Sequence, residues 1–232
     1  MKKVFIDCGT NMGMGFADLA PRYNVDDMWE VYGFEPNVYA YDEYVKNIES
    51  GRFPVLNDKN FNIQQKAVWD KDETIEFCHE AVNEEEYNRD PEWKKACDAV
   101  TERYEKGEAL DFIDFNLPAT GGSCVKEMHD QLNRPVDHAK KLCFPETGEV
   151  EAIDFSKWVL SNFEKEDYII LKMDIEGSEY KVLPKMIDDG SIEYINTLII
   201  EWHDWILPQF KDMTRSLSSK INSSGVTIQG WG

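Results

Sequence analysis

Four short, mainly apolar runs that each end in a carboxylate constrain this chain more than any other feature. They are Lys3 to Asp7 (KVFID), Trp29 to Glu35 (WEVYGFE), Tyr168 to Asp174 (YIILKMD) and Thr197 to His203 (TLIIEWH), which carries Glu201. Near-continuous apolar runs of this length suit strands covered on both faces. Between them lie stretches with helical spacing: Phe16, Leu19 and Ala20 stopping near Pro21, then Tyr41, Tyr44, Val45 and Ile48 after the capping residue Asn37. Ser156 to Phe163, Ser178 to Ile187 with Gly190 as its stop, and Gln209 to Ile221 also read as helices. Phe61 to Trp69 reads as a third strand, Thr74 to Phe77 as an extra one, Val150 to Phe155 as extended and Val226 to Trp231 as a final strand. The alternation predicts an α/β fold, doubly wound, with a mostly parallel sheet and helices on both faces. Ligands of such sheets bind beyond the carboxyl ends of the strands, where the strand order reverses. Asp7, Glu35, Asp174 and Glu201 are therefore expected on one rim.

The stretch from about Glu80 to Thr147 breaks the rhythm. It is rich in charge, has helical spacing from about Asp90 to Tyr104 and contains the small-residue turn Ala119 to Ser123. It reads as an insertion over the open end of the sheet, within a single domain spanning 1–232; a second small domain is the alternative. With 25 Lys and Arg against 45 Asp and Glu, the formal charge is −20. A surface this acidic repels phosphate backbones and anionic lipid, so neither a nucleic acid nor a membrane is the expected partner. Cys8, Cys78, Cys97, Cys124 and Cys143 are scattered with no C-x-x-C pair, which suits reduced thiols in a cytoplasmic protein. The start, MKKVFIDCGT, is too weakly basic and its apolar run too short for a signal peptide, and no apolar run nears about twenty residues. His79, His129, His138 and His203 complete no zinc-spaced cluster, and no metal ligand set is assigned.

The first strand runs into Asp7-Cys8-Gly9-Thr10-Asn11-Met12-Gly13. Gly9 permits a sharp turn, and Gly13 lets a helix start lie close to a ligand. A dinucleotide loop would read G-x-G-x-x-G to seat a pyrophosphate on the helix N-terminus, and that spacing is missing. The loop fits a nucleoside without phosphates. Asp7 can accept from an amino group and offset a positive sulfonium, while Glu35 can accept from both ribose hydroxyls through its two oxygens. Glu35 occurs at similar spacing in nicotinamide enzymes, and Asp7 and Gly9 also read as an ordinary strand-end cap and turn.

These residues resemble the FkbM-like methyltransferase family. The most specific match is Leu171-Lys172-Met173-Asp174-Ile175-Glu176-Gly177-Ser178-Glu179-Tyr180, followed by Val182-Leu183. Three further matches stand in the same order: the loop Asp7 to Gly13 with Phe34-Glu35-Pro36-Asn37, the segment Asp154-Phe155 through Trp158, and Ile199-Ile200-Glu201-Trp202-His203. No match covers the Glu80 to Thr147 stretch. The resemblance implies a seven-stranded Rossmann-like sheet of the class I methyltransferase type. It also implies S-adenosylmethionine as cofactor, bound by Asp7, Gly9, Asn11, Gly13 and Glu35, and usually O-methylation of a sugar, glycan or other small metabolite.

Methyl transfer from a sulfonium is an in-line displacement that needs alignment above all. A base that takes the acceptor proton adds roughly a hundred- to ten-thousand-fold. Asp174 is the first candidate for that base and His203 the second. Lys172 alternates to the side of Asp174 and can orient it, while Glu176 and Glu201 can hold acceptor hydroxyls. Bland readings stand beside these: Lys172 as a buried ion pair that fixes strand ends, His203 as a packed histidine, and Glu179 as a solvated or helix-stabilising acid. The carboxylates of one rim could also hold a divalent cation, though no further His or Asp at fixed spacing supports one. A nicotinamide oxidoreductase and a non-catalytic nucleoside-binding protein remain the competing functions.

Overall fold

The computed structural model describes residues 1–49, 51, 61–82, 95, 102, 106, 124–131 and 142–231. Six strands form the main sheet: β1 (Lys3–Cys8), β2 (Trp29–Phe34), β3 (Phe61–Gln64), β8 (Tyr168–Met173), β9 (Thr197–Ile200) and β10 (Thr227–Gly230). Their order is β10-β9-β8-β1-β2-β3, and every neighbouring pair is parallel. The chain winds one way from β1 to β3 and the other way from β8 to β10, so the order reverses between β1 and β8. The expected doubly wound α/β fold is present, with six strands in the main sheet rather than seven among the described residues.

Alternation along the strands sorts the core into two faces. Phe5, Val31, Ile170 and Ile199 point to α1 (Met14–Arg22) and α2 (Val38–Glu49), where Phe16, Leu19 and Tyr44 meet them. Val4, Ile6, Leu171, Met173, Leu198 and Ile200 point the other way. There they pack against α4 (Phe155–Asn162), α5 (Glu179–Asp189) and α6 (Lys211–Ser223) through Val159, Leu183, Met186, Leu217 and Ile221. Each such side chain contributes about 1.5–3 kcal/mol on burial, which is why the central strands tolerate few polar residues. Lys172 and Asp7 are the exceptions.

The run read as one strand from Phe61 to Trp69 divides between two sheets. Lys66 N–H closes a turn on Gln64 O (2.9 Å). Beyond it, β4 (Ala67–Trp69) leaves to pair with β7 (Leu142–Asp154). The physical cause lies in the burial: β3 is only partly covered, whereas Ala67, Val68 and Trp69 are all buried. The second sheet has the order β4-β7-β5-β6, with β5 (Glu73–Val82) antiparallel to β7 and to β6 (Cys124–Val125). The pairing of β5 with β7 makes a stem at the base of the 80–147 stretch, and the short α3 (Lys126–His129) follows β6. The helix expected near Asp90 to Tyr104 falls almost wholly outside the described residues, as does the turn at Ala119 to Ser123. No helix of the described residues is long and apolar enough to cross a membrane.

Candidate active site at the switch point

The loop after β1 is stitched to the end of β2. Gly9 and Thr10 both donate their amides to Phe34 O, at 3.0 and 3.2 Å. Gly9 has φ +74°, and a Cβ there would stand 1.8 Å from Asp174 O, so only glycine lets this turn cross the end of β8. Asn11, also at positive φ, turns its amide onto Glu35 Oε2 at 2.8 Å, and the Asn37 amide donates to Glu35 Oε1 at 2.9 Å. Each oxygen of Glu35 therefore keeps one further acceptor position. Burial raises Glu35 to a pKa of about 7 despite these two amide donors.

A cleft of about 540 Å³ opens here. Gly9, Asn11, Glu35 and Pro36 line one side and Asp174, Ile175 and Glu176 another, while Ala67, Val68, Phe77 and Val125 of the second sheet give an apolar wall. Of the residues singled out in the sequence, Gly9, Asn11, Glu35, Asp174 and Glu176 meet in this cleft. Asp7, Gly13, Lys172, Glu201 and His203 lie outside its lining.

Asp7 and Gly13, expected from the sequence to bind cofactor, hold the loop from outside the lining of this cleft. Asp7 is fully buried, and its Oδ1 faces Lys172 Nζ at 3.3 Å, an ion pair in which neither carboxylate oxygen accepts a well-formed hydrogen bond. Burial raises its pKa, against the pull of Lys172. Gly15 packs over this pair; a Cβ there would sit 3.1 Å from Asp7 Oδ2 and 3.2 Å from Lys172 Cε. Gly13 stands at the start of α1 with φ +94°, so its role is the backbone turn.

Lys172 joins β1, β8 and the loop. Its ammonium donates to Gly9 O at 2.8 Å and reaches Asp174 Oδ2 at 3.3 Å. Burial pulls its pKa down, but Asp7 and Asp174 outweigh that and hold it above the ordinary lysine value. It is a cation at any working pH and cannot serve as a base. Trp231 Nε1–H donates to Asp174 Oδ2 at 3.3 Å, with its ring 5.6 Å from the Lys172 ammonium. Nothing in the sequence marks Trp231 for this role, because an aromatic reads equally well as core packing.

Beyond β8 the chain makes the turn Asp174 to Ser178, with Glu176 at φ +53° and Gly177 at φ +96°. Glu179 opens α5 and reaches back to accept from the Ile175 and Gly177 amides at 2.7 and 2.8 Å. Of the two readings from sequence, solvated or helix-stabilising, the structure shows the second, with Glu179 fully buried. Its distance of four residues from Ile175, at the first turn of a helix, was the available signal for this capping role.

His203 follows β9 in a short 3-10 turn and is 1% exposed. Its Nε2 lies 3.7 Å from both Asp174 Oδ1 and Glu176 Oε1, and its Nδ1 lies 3.2 Å from Glu179 Oε1, off the line of a good hydrogen bond. Burial opposes its charge, yet Glu179 and Glu176 outweigh burial and raise its pKa well above 6.5. Glu201 donates its amide to Met173 O (3.1 Å), and burial together with Asp174 raises its pKa to about 7.

A parallel sheet with a cleft at its switch point and a carboxylate rim is a Rossmann-like arrangement. The FkbM methyltransferase domain model matches residues 7–223, so the chain belongs to the FkbM methyltransferase family. The crystal structure of methyltransferase FkbM from Methylobacillus flagellatus KT is similar over 94% of this chain and 37% of that one, at 11% identity and a TM-score of 0.46. This chain thus spans little more than a third of that protein. No curated protein matches the sequence.

Proposed function

We propose that the protein is an S-adenosylmethionine-dependent O-methyltransferase acting on a hydroxyl of a sugar, glycan or small metabolite. The observation that carries this is Glu35: two acceptor positions left open on a buried carboxylate, facing a cleft whose far side bears Asp174 and Glu176. A ribose diol matches that pair of acceptors, and the apolar wall of Ala67, Val68, Phe77 and Val125 suits an adenine face. When bound, the cofactor supplies an electrophilic methyl on a sulfonium. The surrounding carboxylates favour a cation there. Asp174 accepts the acceptor's proton as the new C–O bond forms and the C–S electron pair returns to sulfur. Lys172 and Trp231 fix the Asp174 carboxylate from behind, and the His203 imidazolium offsets the negative charge of Asp174 and Glu176. Glu176 lines the cleft and can hold a second acceptor hydroxyl, with Glu201 behind Asp174 in support.

The second sheet belongs, on this reading, to the same domain, and the 80–147 stretch selects the acceptor. The charge of −20 favours a small or glycan acceptor over nucleic acid. The buried thiol of Cys8 suits a reducing cytoplasmic compartment. The test is a pair of variants. Glu35→Ala weakens S-adenosylmethionine binding by about 1–3 kcal/mol, while Asp174→Asn spares binding and lowers turnover. Unchanged affinity in the first variant, or unchanged turnover in the second, overturns the assignment.

A further inference from the structure

Asp174, Glu176 and His203 each offer one ligand atom, and the three atoms lie within 4.8 Å of one another. The acids alone would carry no weight on so acidic a protein. His203 changes the argument, because it is buried at 1% exposure, its Nδ1 makes no hydrogen bond, and its Nε2 turns between the two carboxylates. Its other nitrogen faces Glu179, fully buried, at 3.2 Å. A carboxylate behind a histidine is the arrangement that orients imidazole ligands and leaves the far nitrogen for a metal.

The distances are close to a coordination sphere. Donors about 2.1 Å from a metal stand roughly 3.0–3.4 Å apart in octahedral or tetrahedral geometry. The two histidine–carboxylate separations are 3.7 Å, slightly longer than this, and Asp174 and Glu176 both stand half-buried at the rim of the cleft. Charge points the same way. Among the described residues, the basic side chains beside Asp7, Asp174 and Glu179 are Lys172 and His203. A divalent cation in place of the His203 proton leaves the cluster closer to balance.

We infer that Asp174, Glu176 and His203 form a binding site for one divalent first-row cation, with Glu179 orienting the histidine. One imidazole with two carboxylates suits Mn²⁺, and three donors leave about three positions of an octahedron for water and acceptor oxygen. Two of the ligating groups border the cleft, so an acceptor with vicinal hydroxyls can bind the cation through them. With the cation bound, Asp174 is its ligand in place of the base, and the cation lowers the pKa of the bound hydroxyl, whose proton leaves to water or Glu201. This use in catalysis rests on the O-methyltransferase reading; the binding of the cation does not.

The experiment is a titration of Mn²⁺ with the metal-free protein, read by loss of the free-ion electron paramagnetic resonance signal. Calorimetry with S-adenosylmethionine is run on the same preparation. Saturation at one Mn²⁺ per chain is expected, with Glu176→Gln weakening binding about tenfold or more at an unchanged melting temperature. Asp174→Asn, also at the cleft rim, is the second variant. Loss of signal without saturation, or equal binding by wild type and both variants, assigns the ions to surface carboxylates and overturns the site. Cofactor binding without Mn²⁺ uptake refutes the cation alone, whereas Mn²⁺ uptake without cofactor binding supports the cation and refutes the methyl-transfer reading.

Discussion

Replacing Lys172 with methionine tests how the site is held together. The ammonium sits between Asp7 and Asp174 and also donates to Gly9 O. Methionine fills a similar volume, so the loss is one of charge. Asp174 borders the cleft and can be rehydrated, whereas Asp7 is fully buried with no well-formed hydrogen bond on either oxygen. Breaking a buried pair this way costs about 3–5 kcal/mol. An independent bound comes from protonation. Asp7 in the variant escapes the penalty by taking a proton, and against the ordinary aspartate value of 3.8 that costs about 4 kcal/mol at pH 7 and about 1.6 at pH 5. The sign follows: a folded pKa above the unfolded one stabilises the fold at low pH, and that contribution is lost as pH rises. Urea unfolding followed by tryptophan fluorescence should give a small deficit near pH 5 and a large one near pH 7. The double variant Asp7→Asn, Lys172→Met should recover most of it, leaving about 1 kcal/mol for the lost Gly9 hydrogen bond. A deficit independent of pH, or one the double variant does not relieve, refutes the buried pair as the cause.

Gly9→Ala places a methyl 1.8 Å from Asp174 O at φ +74°; a loss of about 2–5 kcal/mol in denaturant unfolding is expected, and a loss below about 1 kcal/mol contradicts the close approach. Glu35 titrates near 7 in the free protein, so cofactor affinity should rise as pH rises from 6 to 8 and then level off. The Glu35→Gln variant should lose that dependence, and calorimetry showing a flat wild-type profile contradicts a role for the ionised carboxylate. Trp231→Phe removes the donor on Asp174 Oδ2 but keeps an aromatic ring. Turnover should fall about tenfold with cofactor affinity and melting temperature little changed; unchanged turnover shows that Trp231 only packs.

The rim of acids was legible because β1, β2, β8 and β9 each run apolar up to a carboxylate, and a parallel sheet puts such ends together. The depth of each acid was not legible. Asp7 and Glu35 end similar runs, yet Asp7 lies one pleat earlier, under Gly15 and against Lys172, while Glu35 sits past the last paired residue and looks into the cleft. Alternation placed Lys172 beside Asp174 correctly. It could not show the second carboxylate, which comes from β1, opposite Lys172 in the register. The division of Phe61 to Trp69 was hidden because β4 takes its partner from β7, more than eighty residues on. Glu179 looked like a surface helix acid; its burial follows from the positive-φ turn at Glu176 and Gly177, which folds the loop amides back over it.

The central claim is that the cleft between Glu35 and Asp174 binds S-adenosylmethionine. Calorimetric titration with S-adenosylmethionine, S-adenosylhomocysteine and the two nicotinamide cofactors tests it directly. The account predicts binding of the two adenosyl-sulfur ligands at about micromolar Kd, weakened in Glu35→Ala, and no binding of the nicotinamides. Preference for a nicotinamide, or no binding of either sulfur ligand, would contradict the reading of the glycine loop and of the chemistry built on it.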